Sequence, residues 1–280
     1  MNIVTTTSVF PIGSDQLQVL DRLATLGYTH LDMAFDYCDT PGSPFLTSDF
    51  EAWAKQIKDR ADQLGVQYTH SHASFDADVR GDIVHHNFRS AQLLGIRYMV
   101  VHPAFRTEEG RIYEDAEEFL DVNTKAFLPL VRKAADYGLT LLSENLLWGA
   151  SIPLSLQSEL VERVNCENFG WCFDTGHANY SGLTPAALLG LKHSPLSLHV
   201  QDNHGQHDEH LLPGDGAIDW KEFLHTLRRI NYRGDLVLEA HHQSIEAPDE
   251  KRDTILSELM SRAKQMASYY ESIDAASTAP

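Results

Sequence analysis

The run Leu94-Gly95-Ile96-Arg97-Tyr98-Met99-Val100-Val101-His102-Pro103 decides the fold. A helical apolar pattern stops at Gly95, a residue suited to the left-handed conformation that closes a last helical turn. A β-rich segment begins at once, as short αβ connections do. Its centre, Tyr98-Met99-Val100-Val101, is continuously apolar, the pattern of a strand covered on both faces. The segment ends on an imidazole, His102, followed by Pro103. The same punctuation recurs at Leu26-Gly27-Tyr28, Leu64-Gly65-Val66 and Tyr137-Gly138-Leu139, and more weakly at Phe169-Gly170-Trp171 and Arg233-Gly234-Asp235.

Working outward, eight strands are predicted, centred on residues 2–7, 29–35, 66–72, 96–102, 139–145, 170–175, 196–202 and 235–241. Helices lie between them. Ser48 followed by Glu51 reads as a capping box, and Phe50, Trp53, Ala54, Ile57, Ala61 and Leu64 follow at helical spacing. Thr184 and Pro185 read as cap and first-turn residues. A last helix is expected from about Asp249 to Ile273. Eight strand–helix units in about 270 residues are the arithmetic of an α/β fold of the single-domain (β/α)8 TIM barrel type. A doubly wound open sheet is disfavoured, because no G-x-G-x-x-G follows the first strand. The barrel is expected over residues 1–274, with a frayed tail at 275–280.

The chain of 280 residues carries 22 Lys plus Arg against 40 Asp plus Glu, a formal charge of −18, and 15 histidines. Nucleic-acid affinity depends on Lys and Arg at phosphates, so this balance argues against a polyanion partner. The three scattered cysteines fit a reducing compartment without a disulfide framework. No cleavable signal pattern opens the sequence and no apolar run reaches membrane-helix length. The expectation is a cytoplasmic protein with no membrane partner.

The chemistry gathers where the strands end. Strand three ends at His72, strand four at His102, strand five at Glu144, strand six at Asp174 with His177 close behind, strand seven runs through His199, and strand eight ends at Glu239. In a barrel these ends converge on one mouth. Any one of them alone reads as a loop or capping residue. Together, so many carboxylates and imidazoles would repel or stay unsatisfied without a cation between them. Glu144, Asp174, His199 and Glu239 make a hard, oxygen-rich set suited to one divalent cation, Mn²⁺ foremost, with Mg²⁺, Co²⁺ or Zn²⁺ tolerated. A fuller set with His72, His102, His177, Asp208 and His210 as additional ligands suits a zinc cluster. No organic cofactor is expected. His70 shares a strand face with His72 and is placed deeper in the barrel; His241 and His242 are placed near the mouth but not as ligands. His30, His85, His86, His193 and His225 read as surface or packing residues. Trp148, Phe10, Phe35 and Phe75 read as core, or alternatively as an apolar wall at the mouth. Arg106 is a candidate contact for a substrate phosphate or carboxylate.

The order Glu144, Asp174-Thr175-Gly176-His177, His199 and Glu239, supported by Asp208-Glu209-His210-Leu211 and Pro213-Gly214-Asp215-Gly216-Ala217-Ile218-Asp219-Trp220, resembles the xylose isomerase-like barrel superfamily. That superfamily holds sugar isomerases and epimerases, hydroxypyruvate isomerase, inosose dehydratase and the type-IV apurinic-site endonucleases. The resemblance implies that Glu144, Asp174, His199 and Glu239 hold a cation, that Glu144 and Glu239 shuttle a proton through an enediolate, and that His177 contacts a small carbohydrate substrate; His72, His102, Trp148 and Arg106 are candidate further substrate contacts by their position near the mouth. It implies an isomerase or epimerase, often a homodimer or homotetramer in such barrels. An inosose-type dehydratase is the alternative. An endonuclease-like zinc phosphodiesterase has a residue for all nine ligand positions, but the acidic charge and the scarcity of Lys and Arg between Ser71 and Arg80 and between His199 and Trp220 weigh against it.

Overall fold

A computed structural model describes residues 1–104, 115–146 and 153–273. The strands are Ile3–Thr6 (β1), His30–Ala34 (β2), Gln67–His72 (β3), Tyr98–Val101 (β4), Thr140–Glu144 (β5), Phe169–Asp174 (β6), Ser197–His199 (β7) and Leu236–Leu238 (β8). Each pairs in parallel with the next through β7, and β8 pairs with β1. The last seam is a parallel bridge between Val200 and Leu238, in which Val200 N donates to Val237 O at 2.8 Å and Glu239 N donates to Val200 O at 3.0 Å. The cylinder therefore closes, which removes the exposed edges an open sheet must protect. The architecture is the (β/α)8 barrel expected from the sequence.

The helices are Gln16–Thr25 (α1), Phe35–Cys38 (α2), Phe50–Leu64 (α3), Asp82–Leu94 (α4), Ala116–Ala135 (α5), Ser155–Val164 (α6), Thr175–Tyr180 (α7), Trp220–Arg229 (α8), His242–Glu246 (α9) and Asp249–Ser272 (α10). Strand alternation explains the layering. Met99, Val101, Leu141, Leu198, Val200, Leu236 and Leu238 belong to the main core with buried helix residues such as Ile57, Phe88, Phe119, Phe127 and Phe223; Val100, Leu142 and Cys172 form a separate small cluster with Tyr98. Each fully buried Leu or Phe contributes roughly 1.5–3 kcal/mol by leaving water. Phe10, Phe35 and Phe75 belong to the main core, not to an apolar wall.

Gly27, Gly65, Gly95 and Gly138 take φ of +88°, +68°, +81° and +72°. The weaker signals at Gly170 and Gly234 do not play this part. Left-handed residues there are Asn165, which caps α6 at φ +47°, and Asn231, just past α8 at φ +55°; asparagine enters that region at lower cost than other non-glycine residues. Gly170 lies within β6, where a Cβ would sit 2.4 Å from Leu196 Cδ1, so it serves close packing. The capping box also differs. α3 starts after Asp49 with no side-chain cap, and Thr47 Oγ1 instead accepts from Asp49 N at 3.2 Å. Thr184 precedes a short 3-10 turn, Pro185–Leu188, without capping it through its hydroxyl. Among the described residues no helix is long and apolar enough to cross a membrane. The tail at 275–280 lies outside the described residues.

Candidate metal centre

All strands point their C-terminal ends at one mouth, and the side chains there fall into three groups with mutually close donor atoms: Glu144, Asp174, His199 and Glu239; His72, His102 and Glu144; and His177, Asp208 and His210. Every ligand residue anticipated from the sequence is among these nine. Glu144 belongs to two groups through different oxygens. Its Oε1 lies 2.9 Å from His199 Nδ1, while its Oε2 lies 3.3 Å from His102 Nε2 and 3.7 Å from His72 Nε2. The His72 and His102 Nε2 atoms are 3.0 Å apart. In the third group Asp208 Oδ2 is 3.1 Å from His210 Nε2 and 3.4 Å from His177 Nε2.

Three imidazoles are locked by their other nitrogen. Nδ1 of His72 donates to Ala73 O at 2.9 Å, of His177 to Asn145 O at 2.9 Å and of His210 to Glu239 O at 3.0 Å. A carbonyl only accepts, so each Nδ1 carries a proton and each Nε2 faces the mouth, the atom the ring would offer to a metal once neutral. His102 Nδ1 faces the Asp76 carboxylate at 3.6 Å, a longer approach than these hydrogen bonds. His210 does this from a backbone at φ +44°, an uncommon conformation for a histidine and one often found at functional positions. The ends of β5 and β6 are clamped by Asn145, whose Oδ1 accepts from Asp174 N at 2.9 Å and whose Nδ2 donates to Asp174 O at 3.0 Å.

The electrostatics are those of charges held without water. Glu144 Oε2 and Asp174 Oδ2 are buried and have no hydrogen-bond donor. Burial, joined by the Glu144 and Asp174 carboxylates, pushes Glu239 well above the ordinary carboxyl range. Burial and Glu144 also raise Asp174. Burial opposes ionisation of Glu144, yet His199, His102 and His72 hold its carboxyl well below the usual range. Burial likewise opposes charging of His72 and His177, but surrounding carboxylates, Asp36 and Glu144 at the first and Asp174 and Asp208 at the second, carry each up to about 10. Acids and imidazoles here must share protons or share cations. The donor set and its orphaned oxygens fit divalent cations.

Other residues fall as follows. His70 is buried beneath His72, its ring stacked on Tyr98 at 5.2 Å, and burial drives it down to about 3. His241 packs tilted against His210, ring centroids 4.1 Å apart, and joins none of the three groups. His85 meets Tyr137, His86 stacks on Phe50 and His225 meets Tyr269, all packing roles. Trp148 and Arg106 lie outside the described residues. Two residues escaped the sequence reading. Asp32 of β2 is buried, and burial raises it to about 6 despite His199 and His72 nearby. Gln201, two residues past His199 and so on the same strand face, donates to both Asp174 and Asp208; the period-2 alternation Ser197, His199, Gln201 was the available signal. A cavity of about 580 Å³ at the opposite, N-terminal end of the barrel is lined by Tyr98, Trp171, Leu196 and Tyr232 and holds none of the nine donors.

The sequence profile of the xylose isomerase-like TIM barrels matches residues 20–265, and the chain belongs to that family. Among curated relatives it is 35% identical over 150 residues to the uncharacterized protein MJ1311 of Methanocaldococcus jannaschii, a match spanning half of each chain. Among solved structures it resembles the IolI protein with a bound zinc atom, at TM-score 0.74 and 18% identity over 96% of this chain and 98% of that one. It resembles D-psicose 3-epimerase of Clostridium cellulolyticum H10, crystallised with D-tagatose, at TM-score 0.73 and 16% identity over 95% and 99%. At such identity these likenesses establish the fold.

Proposed function

We propose that this protein is a divalent-metal-dependent isomerase or epimerase of a sugar or small hydroxy-ketone. The observation that carries the reading is the convergence of Glu144, Asp174, His199 and Glu239, from four successive strands, on one buried point. The bound zinc of the IolI structure and the sugar in the epimerase structure support it. Glu144, Asp174, His199 and Glu239 would hold the cation, Mn²⁺ by preference for the three carboxylates. Such a cation withdraws charge from a substrate carbonyl and its neighbouring hydroxyl, which acidifies the carbon-bound proton beside them.

The chain's own residues supply the proton transfer. In this reading Glu144 acts as the general base and Glu239 as the general acid. Glu144 takes the proton from carbon, leaving an enediolate. Glu239 then delivers its own proton to the opposite face or the adjacent carbon, and the reverse reaction exchanges the roles. His177 presents its Nε2 toward the mouth as a substrate contact, with His72 and His102 on the neighbouring wall. Glu144→Gln and Glu239→Gln are each expected to lower kcat by about 10²- to 10⁴-fold, and to stop solvent deuterium entering a ketose, with the fold kept. Near-native turnover in either variant would overturn the two-glutamate mechanism.

One observation favours a second reading. The nine donors, with Glu144 shared between two groups, also suit a multinuclear phosphodiesterase. The acidic charge of −18 opposes a nucleic-acid substrate. The number of metal equivalents bound separates the two.

A further inference from the structure

We infer that Gln201 is a positioning residue that straps the central and third ligand groups together and leaves each of two aspartates one oxygen for a cation. Gln201 is fully buried at the end of the β7 segment. Its Nε2 donates to Asp174 Oδ1 at 3.3 Å and to Asp208 Oδ1 at 2.8 Å. Asp174 is in one group and Asp208 in another, so this single amide is a direct link between them. On Asp174, Oδ1 also accepts from His177 N at 2.6 Å, which leaves Oδ2 with no donor at all. On Asp208 the amide takes Oδ1, and Oδ2 faces His177 and His210. The strap thus occupies one oxygen of each carboxylate and frees the other.

Four further features say the arrangement is built. The orientation of the amide is set by chemistry, because the reverse flip would aim its oxygen at two carboxylates. Gln201 Oε1 is left buried without a donor, an arrangement unfavourable to stability that the two carboxylate contacts must offset. Gly176 makes room for it: a Cβ there would lie 2.1 Å from both Cδ and Oε1 of Gln201. The backbone is pinned as well, with Gln201 N donating to Thr175 Oγ1 at 3.0 Å and that hydroxyl donating to Gln201 O at 2.6 Å. Residues that orient metal ligands commonly change metal affinity 10- to 100-fold when removed.

The inference rests on the reading of both groups as cation ligands. The test is titration of Mn²⁺, and separately Zn²⁺, into chelator-stripped full-length protein, followed by calorimetry. Gln201→Met keeps length and removes both donors. Gly176→Ala keeps Gln201 and displaces its amide, and serves if the first variant fails to fold. Each variant, with parental far-UV circular dichroism, is expected to lose one bound equivalent or to bind at least tenfold more weakly. Gln201→Glu, which offers at most one proton to two carboxylates, is expected to fail likewise. Parental stoichiometry and Kd in folded Gln201→Met or Gly176→Ala would overturn the strap while leaving the metal reading intact. A parent protein that takes up neither cation would overturn both.

Discussion

Asp32 illustrates what a single residue sustains at this mouth. Its carboxyl is buried in the barrel, one oxygen lacks a donor, and burial lifts it to about 6. A carboxyl raised above its unfolded value, near 4, contributes stability that is full below that value and lost as pH rises through 6. At pH 8 the ionised group is a net liability of up to about 3 kcal/mol, from roughly two pH units at 1.36 kcal/mol each. Asp32→Asn is therefore expected to raise resistance to urea at pH 8 and to give no such gain at pH 4. An equal gain at both pH values would show that ionisation is not the cause. The imidazoles of His72 and His199 are the charges that make an acid tolerable there.

At the scale of elements, glycines that look alike in sequence do two different things. Gly65 and Gly138 take positive φ, and a methyl group added at either would meet nothing within 4 Å, so backbone conformation alone is at stake. Gly65→Ala and Gly138→Ala are each expected to cost about 1–2 kcal/mol by chemical denaturation. Gly170 has no such φ, and its constraint is Leu196 at 2.4 Å. Gly170→Ala is expected to destabilise and to be substantially rescued in a Leu196→Ala background, whereas Gly65→Ala gains nothing from that partner. Additive effects of Gly170→Ala and Leu196→Ala would refute the packing explanation. The strand–helix rhythm was legible because apolar alternation and left-handed glycines are local properties. The asparagines closing α6 and α8 were not, since their residue type signals a turn without saying which helix it ends.

For the whole molecule, the mouth concentrates carboxylates that need a counter-charge. A cation that binds only the folded chain stabilises it by about 2.7 kcal/mol at one hundred times Kd. For a chain of this size that amounts to a rise in Tm of roughly 5–10 °C. Chelator-stripped protein is expected to regain this on addition of Mn²⁺, and elemental analysis of protein purified without chelator is expected to find bound divalent metal. One equivalent supports the isomerase or epimerase; close to three equivalents of zinc supports the multinuclear phosphodiesterase. No bound metal and no shift in Tm would remove the cation from the mechanism.

By itself the sequence determined the barrel, the mouth and the six carboxylate and imidazole residues at its strand ends, because strand alternation and strand-end residue types are written along the chain; His177, Asp208 and His210, which lie beyond the strands, were candidates by residue type alone. Only the tertiary structure decided how those donors divide: which oxygen of Glu144 faces which histidines, which carbonyl locks each imidazole, and that Gln201 joins Asp174 to Asp208. The reason is geometric. Those contacts connect different strand ends and the loops beyond them, and their distances are set by how the closed cylinder brings the ends together, which no local pattern of residues encodes.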